Sequence, residues 1–500
     1  MMKNWKRREF LSATAGGLSL GAMIGGLGSL TAADVQFNEN IARFPGDIEP
    51  LVQLLEESPR ETVIEEVARR VQAGLSYREL LAALLLAGVR NVQPRPSVGF
   101  KFHAVLVVNS AHLASQASAN EERWLPIFWA IDNFKSSQAR DVREGNWTMP
   151  PVDEAAIPNA SQAASRLRDA LNKWDESAAD VAIASMVRHH GANRVFEELA
   201  AFAARDFRSI GHKVIYLSNA FRTLQTIGWD YAEPVMRSLV YAMLNHTGDP
   251  NPSTSDLTAD QPGRFNRQRV AEISPNWLDG KPDDMATRDL IRTLHTCTPD
   301  EASRAVIDLL GSGVHLQSVW DGIFCSAGEL LMRQRGIVAL HSVTTTNAIY
   351  HAFKTTANDE TRRYLMLQNA SFLPMFRDAA RDRGDLADTH IDEISASDNA
   401  TNVADIFQTM GKDRNLGARM AYRFLTDGGN PQSVVSQARR LVFLKGNDSH
   451  DYKFSSAALE DYRALSPAWQ NRFIAAATFQ LRNSTEPTRA LVTRIESALA

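Results

Sequence analysis

The stretch Gly211-His212-Lys213-Val214-Ile215-Tyr216-Leu217-Ser218-Asn219-Ala220-Phe221 reads as an apolar helix with a histidine at its head. Similar stretches begin at His103 (HAVLVVNSAHLAS), His341 (HSVTTTNAIYHAF) and His450 (HDYKFSSAALEDY). Aligned from the histidine onward, they need no gap for about two helices, the length of one helical-repeat unit. Eight residues on stand Ala111, Ala220, Ile349 and Ala458; twenty-four residues on stand Ile127, Met236, Leu365 and Ile474. The fourth copy is the most divergent, because polar Asp451, Tyr452 and Lys453 follow its histidine. His450 is therefore the member to drop first.

Outward from these stretches the pattern is helical. Val63, Val67 and Val71 recur every fourth residue. Ser76 with Glu79 has the spacing of a capping box, and Thr298-Pro299-Asp300-Glu301 is a second helix start. A helix is expected from Glu121 to about Lys135, followed by a loop over 141–160. Val105 to Val108 is β-branched enough for a strand, but its counterparts in the other units do not alternate. The expected fold is all-α: a multi-helical array of about four related repeat units, closed around a central cleft. The stretch from His246 to Gly263 (HTGDPNPSTSDLTADQPG) is the best candidate boundary. It would separate an N-terminal half, 34–245, from a C-terminal half, 264–500, with 486–499 as a capping helix. His315 also heads a helix, and the sequence leaves open whether it or His341 is the true counterpart of His212.

The chain has 500 residues, 44% hydrophobic and 22% charged, with a formal net charge of −4. That balance implies no broad basic surface for nucleic acid. Two cysteines, Cys297 and Cys325, exclude a disulfide framework and a cysteine-rich zinc or iron–sulfur site. At the N-terminus, Lys6-Arg7-Arg8-Glu9-Phe10-Leu11 resembles the twin-arginine export motif. A Gly-rich apolar run follows from Ala13 to Leu30, then Thr31-Ala32-Ala33 as a cleavage stretch. Residues 1–33 are expected to be a signal peptide read by the twin-arginine export machinery. A membrane anchor is the competing reading, weakened by the length of the run and its glycines. Removal of the segment takes away a net +3 and leaves −7. The expected location is periplasmic or secreted, with no membrane association afterwards.

A histidine at one position in several related units is the chemistry-bearing pattern. If the units pack around a pseudo-symmetry axis, the imidazoles converge, and neutral imidazole suits iron, copper, zinc and nickel. The expected ligands are His103, His212, His315 and His341. His212 and His341 double as catalytic groups, with Asn109, Asn347 and Asp321 as supporting polar partners. The expected cofactor is a divalent transition metal, iron first. A histidine at a helix start also caps or packs, and an open solenoid would hold the four far apart; both readings stay open. His189, His190 and His295 end helices, where a helix C-terminus favours them. Glu329 faces either the core, paired with Arg333 or Arg335, or solvent, the favoured reading; Cys325 is expected in the core. Arg222 is a candidate anion binder. No phosphate loop, nucleophile elbow or His-Glu-x-x-His pair is present.

Gly211-His212-Lys213-Val214-Ile215-Tyr216, His341-Ser342-Val343-Thr344 and His103-Ala104-Val105 resemble segments of the questin oxidase-like family. The resemblance covers about a third of the chain. It implies a helical oxidoreductase that uses dioxygen on an aromatic polyketide-type small molecule. The expected function is an exported, metal-dependent, oxygen-using oxidoreductase that holds an organic substrate in a histidine-lined cleft. The alternative is a non-enzymatic helical-repeat scaffold or binding protein of the cell envelope.

Overall fold

The computed structural model describes residues 40–94, 102–244, 249–398 and 402–500. The twin-arginine stretch, the apolar run and the cleavage stretch lie outside the described residues. Among the described residues the fold is all-α and multi-helical, with no strand and a single isolated bridge between Lys281 and Val314. Val105 to Val108, ambiguous by composition, is helical apart from a break at Val107.

Helix starts follow the local chemistry. Ser76 Oγ accepts from the Glu79 amide at 3.2 Å, and Glu79 Oε2 accepts from the Ser76 amide at 3.1 Å. Thr298 and Glu301 form the same reciprocal box, with Pro299 in the first turn. Such boxes satisfy backbone donors that the helix itself cannot.

Two boundaries differ from expectation, for one physical reason. The second helix runs Leu125–Arg143, past the expected end near Lys135. Its polar C-terminal half has no apolar period, yet it packs. Lys135 Nζ donates to the carbonyls of Leu55 (3.0 Å) and Glu56 (2.8 Å). Asp141 accepts from the Gln93 and Trp147 amides. The 246–263 stretch, where described, is likewise tied down. The Phe207 amide donates to Ala259 O at 2.8 Å, and Arg208 grips both Asp260 oxygens. Pro262 and Gly263 open the Gln261–Arg269 helix. Residues Ala42–Ala500 form one compact unit.

Four helices make the centre of that unit: His103–Leu106 continued by Val108–Gln116, His212–Ile227, Ile337–Thr355 and Ser449–Asp461. Each packs on the next, and the fourth returns to the first. Polar side chains clasp every junction. Asn219 Nδ2 donates to Leu106 O at 3.0 Å, and Ser218 Oγ to Ala348 O at 2.8 Å. Asn347 Nδ2 donates to Asp461 Oδ1 at 2.6 Å, and Ser456 Oγ to Ser110 Oγ at 2.8 Å. The Asp359–Arg381 and Leu316–Arg333 helices pack against Ile337–Thr355, and Ala232–Leu244 against His212–Ile227.

The His103 helix sits close to the Tyr77–Asn91 helix because Gly88 offers no side chain there. A Cβ on Gly88 would stand 2.9 Å from Val105 Cγ2, a β-branched group with little freedom to move. Gly88→Val is expected to overpack this contact and destabilise the fold by about 1–3 kcal/mol. The measurement is the midpoint of denaturant unfolding, and an unchanged midpoint contradicts the close approach.

Candidate metal centre

The backbone that delivers His212 is strained. Ile210 and Gly211 both take positive φ, +44° and +81°. A β-branched residue adopts that conformation only where its surroundings over-determine it. Thr345, on the Ile337–Thr355 helix, supplies part of the constraint by donating to Ile210 O at 3.2 Å. Its side chain also occupies the space where a Cβ of Gly211 would stand. Lys213 follows as a fully buried cation, bonded to both oxygens of Asp206 at 2.8 and 2.7 Å. The helix that carries His212 is therefore anchored before and after the histidine.

The tertiary structure brings His103, His212, His341 and His450 together. Their exposures are 3, 6, 1 and 8%. Ring centroids of chain-order neighbours lie 4.9 Å (His103–His212), 4.5 Å (His212–His341) and 5.2 Å (His341–His450) apart. His450 returns to His103 at 4.5 Å, and His103 faces His341 at 6.4 Å. His103, His341 and His450 each offer a nitrogen within 4.8 Å of the others, near enough to share an ion. His212 Nε2 stands 3.1 Å from the Nε2 atoms of both His103 and His341.

The outer nitrogens decide what the inner ones can be. His212 Nδ1 lies 2.7 Å from Ser209 O, and His341 Nδ1 lies 2.6 Å from Ile337 O. A carbonyl oxygen only accepts, so each Nδ1 carries the hydrogen. In the neutral rings both Nε2 atoms then present lone pairs to one another at 3.1 Å. That contact is repulsive unless a proton or a cation lies in it. Burial opposes the proton and holds His103, His212 and His341 well below the ordinary histidine range. The buried ammonium of Lys453 and the neighbouring imidazoles push the same way. Ligand bonds of about 2.0–2.1 Å in tetrahedral array put nitrogens about 3.3 Å apart, close to the spacing seen. His450 has the arrangement of a ligand held by a carboxylate: its Nδ1 is 3.1 Å from Asp448 Oδ1.

Other expected site residues are placed elsewhere. His315 is the N-cap of Leu316–Arg333, where its Nδ1 accepts from the Gln317 amide at 3.1 Å. It belongs to no group of side chains near enough to share an ion among the described residues. Asp321 accepts from Gln317 Nε2 and the Ser466 amide, both at 2.9 Å, and so tethers two helices. Asn109 lies in the polar layer between helices, 3.5 Å from Asn219 Oδ1. Asn347 contacts Asp461 and Glu460, and Arg222 bridges Asn347 to Glu460. Arg222 thus pairs within the protein. Cys325 is buried, as expected.

Beyond His315, the structure overturns the expected places of His450 and Glu329. His450, ranked last, stands in the cluster, and the polar residues after it belong to the site's surroundings. Its register, kept at eight and twenty-four residues on, was the usable signal. Glu329, expected in solvent, is 2% exposed and takes His295 Nδ1 at 2.8 Å. Asp448 and Lys453 were not singled out, because a cap and a charged residue look unremarkable without their neighbours. No family model, no curated protein and no solved structure matches the chain.

His351 shows the same desolvation away from the cluster. It lies between the rings of Phe196 and Phe221, and burial lowers its pKa to about 2, with Arg222 and Lys354 assisting. The unfolded chain takes up a proton below the ordinary value of about 6.5, and the folded chain does not. Stability is therefore lost as pH falls through that value, by about 1.4 kcal/mol per pH unit from this residue. His351→Leu is expected to flatten the acid limb by that slope in denaturant titrations at pH 6 and 5. Equal slopes in the two proteins would contradict a neutral buried ring.

Proposed function

We propose that the protein is a metalloprotein whose four central histidines hold one divalent transition metal. We further propose that it acts as an exported oxidoreductase. The observation that carries the metal is the pair of Nε2 atoms 3.1 Å apart on rings whose Nδ1 hydrogens are committed to carbonyls. Ser209 O, Ile337 O and the Asp448 carboxylate orient three rings, as outer partners of metal-bound histidines do.

The donor set suits iron, copper, zinc or nickel, and iron is the reading favoured with the questin oxidase-like resemblance. His103, His212, His341 and His450 would hold the metal, and a redox metal there would supply one-electron chemistry. The chain's own residues set its conditions. Four neutral imidazoles in a buried site would favour the lower oxidation state. The surrounding helices exclude bulk water from the ligands. Support for oxidation of an aromatic polyketide-type substrate is the sequence resemblance, and support for export is the twin-arginine stretch.

Elemental analysis of the purified chain is the test. About one equivalent of metal per chain is expected, lost in His341→Ala. Asp448→Asn is expected to weaken metal affinity about 10–100-fold. A chain that carries no metal, and gains no thermal stability from iron, copper, zinc or nickel, overturns the reading. Oxygen uptake by the loaded chain with aromatic polyketide-type substrates separates the oxidoreductase from a metal-holding scaffold, which would consume none.

A further inference from the structure

A second histidine group lies apart from the centre, where three elements meet. His295 ends the Asp284–Thr296 helix, and Glu329 projects from Leu316–Arg333. Asp388 and His390 come from the loop before the short turn Ile391–Glu393. The two imidazoles stack with centroids 4.5 Å apart and planes at 27°. Asp388 Oδ1 stands 3.6 Å from His390 Nε2 and 3.9 Å from His295 Nε2. His295, His390 and Asp388 each offer a donor atom within 4.8 Å of the others.

Glu329 gives the group its direction. One oxygen takes His295 Nδ1 at 2.8 Å. The other accepts from the Ile391 amide at 2.9 Å and stands 3.9 Å from His390 Nδ1. His390 Nδ1 is buried and makes no hydrogen bond. A carboxylate behind Nδ1 leaves Nε2 as the lone-pair atom, and here both Nε2 atoms are the ones near Asp388.

We propose that His295, His390 and Asp388 form a second site for a divalent transition metal of the zinc type, open to solvent, with Glu329 as its positioning residue. Two imidazole nitrogens and one carboxylate leave a coordination position for water or an exogenous ligand. Bonds of about 2.0–2.2 Å need donor atoms about 3.3 Å apart. Asp388, whose side chain is 93% exposed, is free to rotate toward the ion, and the two rings must turn out of their 27° stack so that both Nε2 lone pairs aim at one point. Movement of His390 toward Glu329 gives its Nδ1 the missing acceptor. The bound ion ties the 388–391 loop to two helices. Arg333 and Arg377 line the same small cleft as His295 and Glu329. Their charge lowers the affinity, and with three protein ligands against the four proposed at the centre this site binds more weakly. Arg377 is engaged by the carbonyl of Cys297 and by Asp378, and so is directed to other partners.

The experiment is calorimetric titration of the chelator-stripped full chain with zinc, for wild type, His390→Ala, Asp388→Asn and His341→Ala. Two equivalents are expected in wild type. His390→Ala is expected to lose the weaker one, and Asp388→Asn to weaken it at least tenfold. Both substitutions lie in a partly or largely exposed loop, so folding is not at stake. His341→Ala should retain the weaker equivalent, which keeps failure of the central site distinct from failure of this one. Zinc binding by His390→Ala and Asp388→Asn with wild-type stoichiometry and affinity would sink the proposal.

Discussion

Everything at the centre of this protein depends on how an imidazole with two nitrogens is buried. Ser209 O and Ile337 O each take one ring hydrogen. The remaining nitrogens are forced to meet as lone pairs, 3.1 Å apart. Water is excluded from this contact, and a proton there is opposed by burial and by Lys453. A cation is a species that would relieve the meeting of these two acceptors. The geometry is thus that of a candidate site, with His103, His341 and His450 near enough to share an ion.

The same constraint shapes the helices that carry the rings. Four helices can hold their histidine-bearing turns this close only if their interiors tolerate polar groups. Asn219, Ser218, Asn347 and Ser456 meet that need by bonding across each junction. Buried polar groups of this kind are costly alone and specific in company. They favour one register of the four helices over sliding alternatives. The strained turn at Ile210 and Gly211, pinned by Thr345 of the neighbouring helix, shows one place where local conformation yields to that register.

The two histidine groups differ in what surrounds them. The central one is all nitrogen and enclosed, with every imidazole buried. The group around Glu329 mixes nitrogen with carboxylate oxygen and reaches solvent through Asp388. Its neighbouring arginines and open side suit an ion that exchanges. One histidine-rich chain thus supports two ligand fields, separated by dielectric and charge rather than by residue type.

Periodicity and caps were enough to read an all-α fold, because apolar spacing and helix-start chemistry act over a few residues. His103, His212 and His341 were legible as a set for the same local reason: each precedes an apolar helical stretch in the same register, although His341 lies one turn inside Ile337–Thr355. The rest was settled by contacts distant in sequence. Polar helical turns such as those after Lys135 look like loop until Leu55 and Glu56 carbonyls receive the lysine. His315 resembles His212 locally, yet a hydrogen bond from the Gln317 amide makes it a cap. His450 resembles it least, yet lands in the cluster. Glu329 met His295 and the Ile391 amide only when a loop folded over a helix end. Local sequence determined which segments are helices and which histidines lead them. Which imidazoles converge, and which nitrogen of each faces inward, was decided by tertiary packing, because that choice rests on carbonyls and side chains supplied by other parts of the chain.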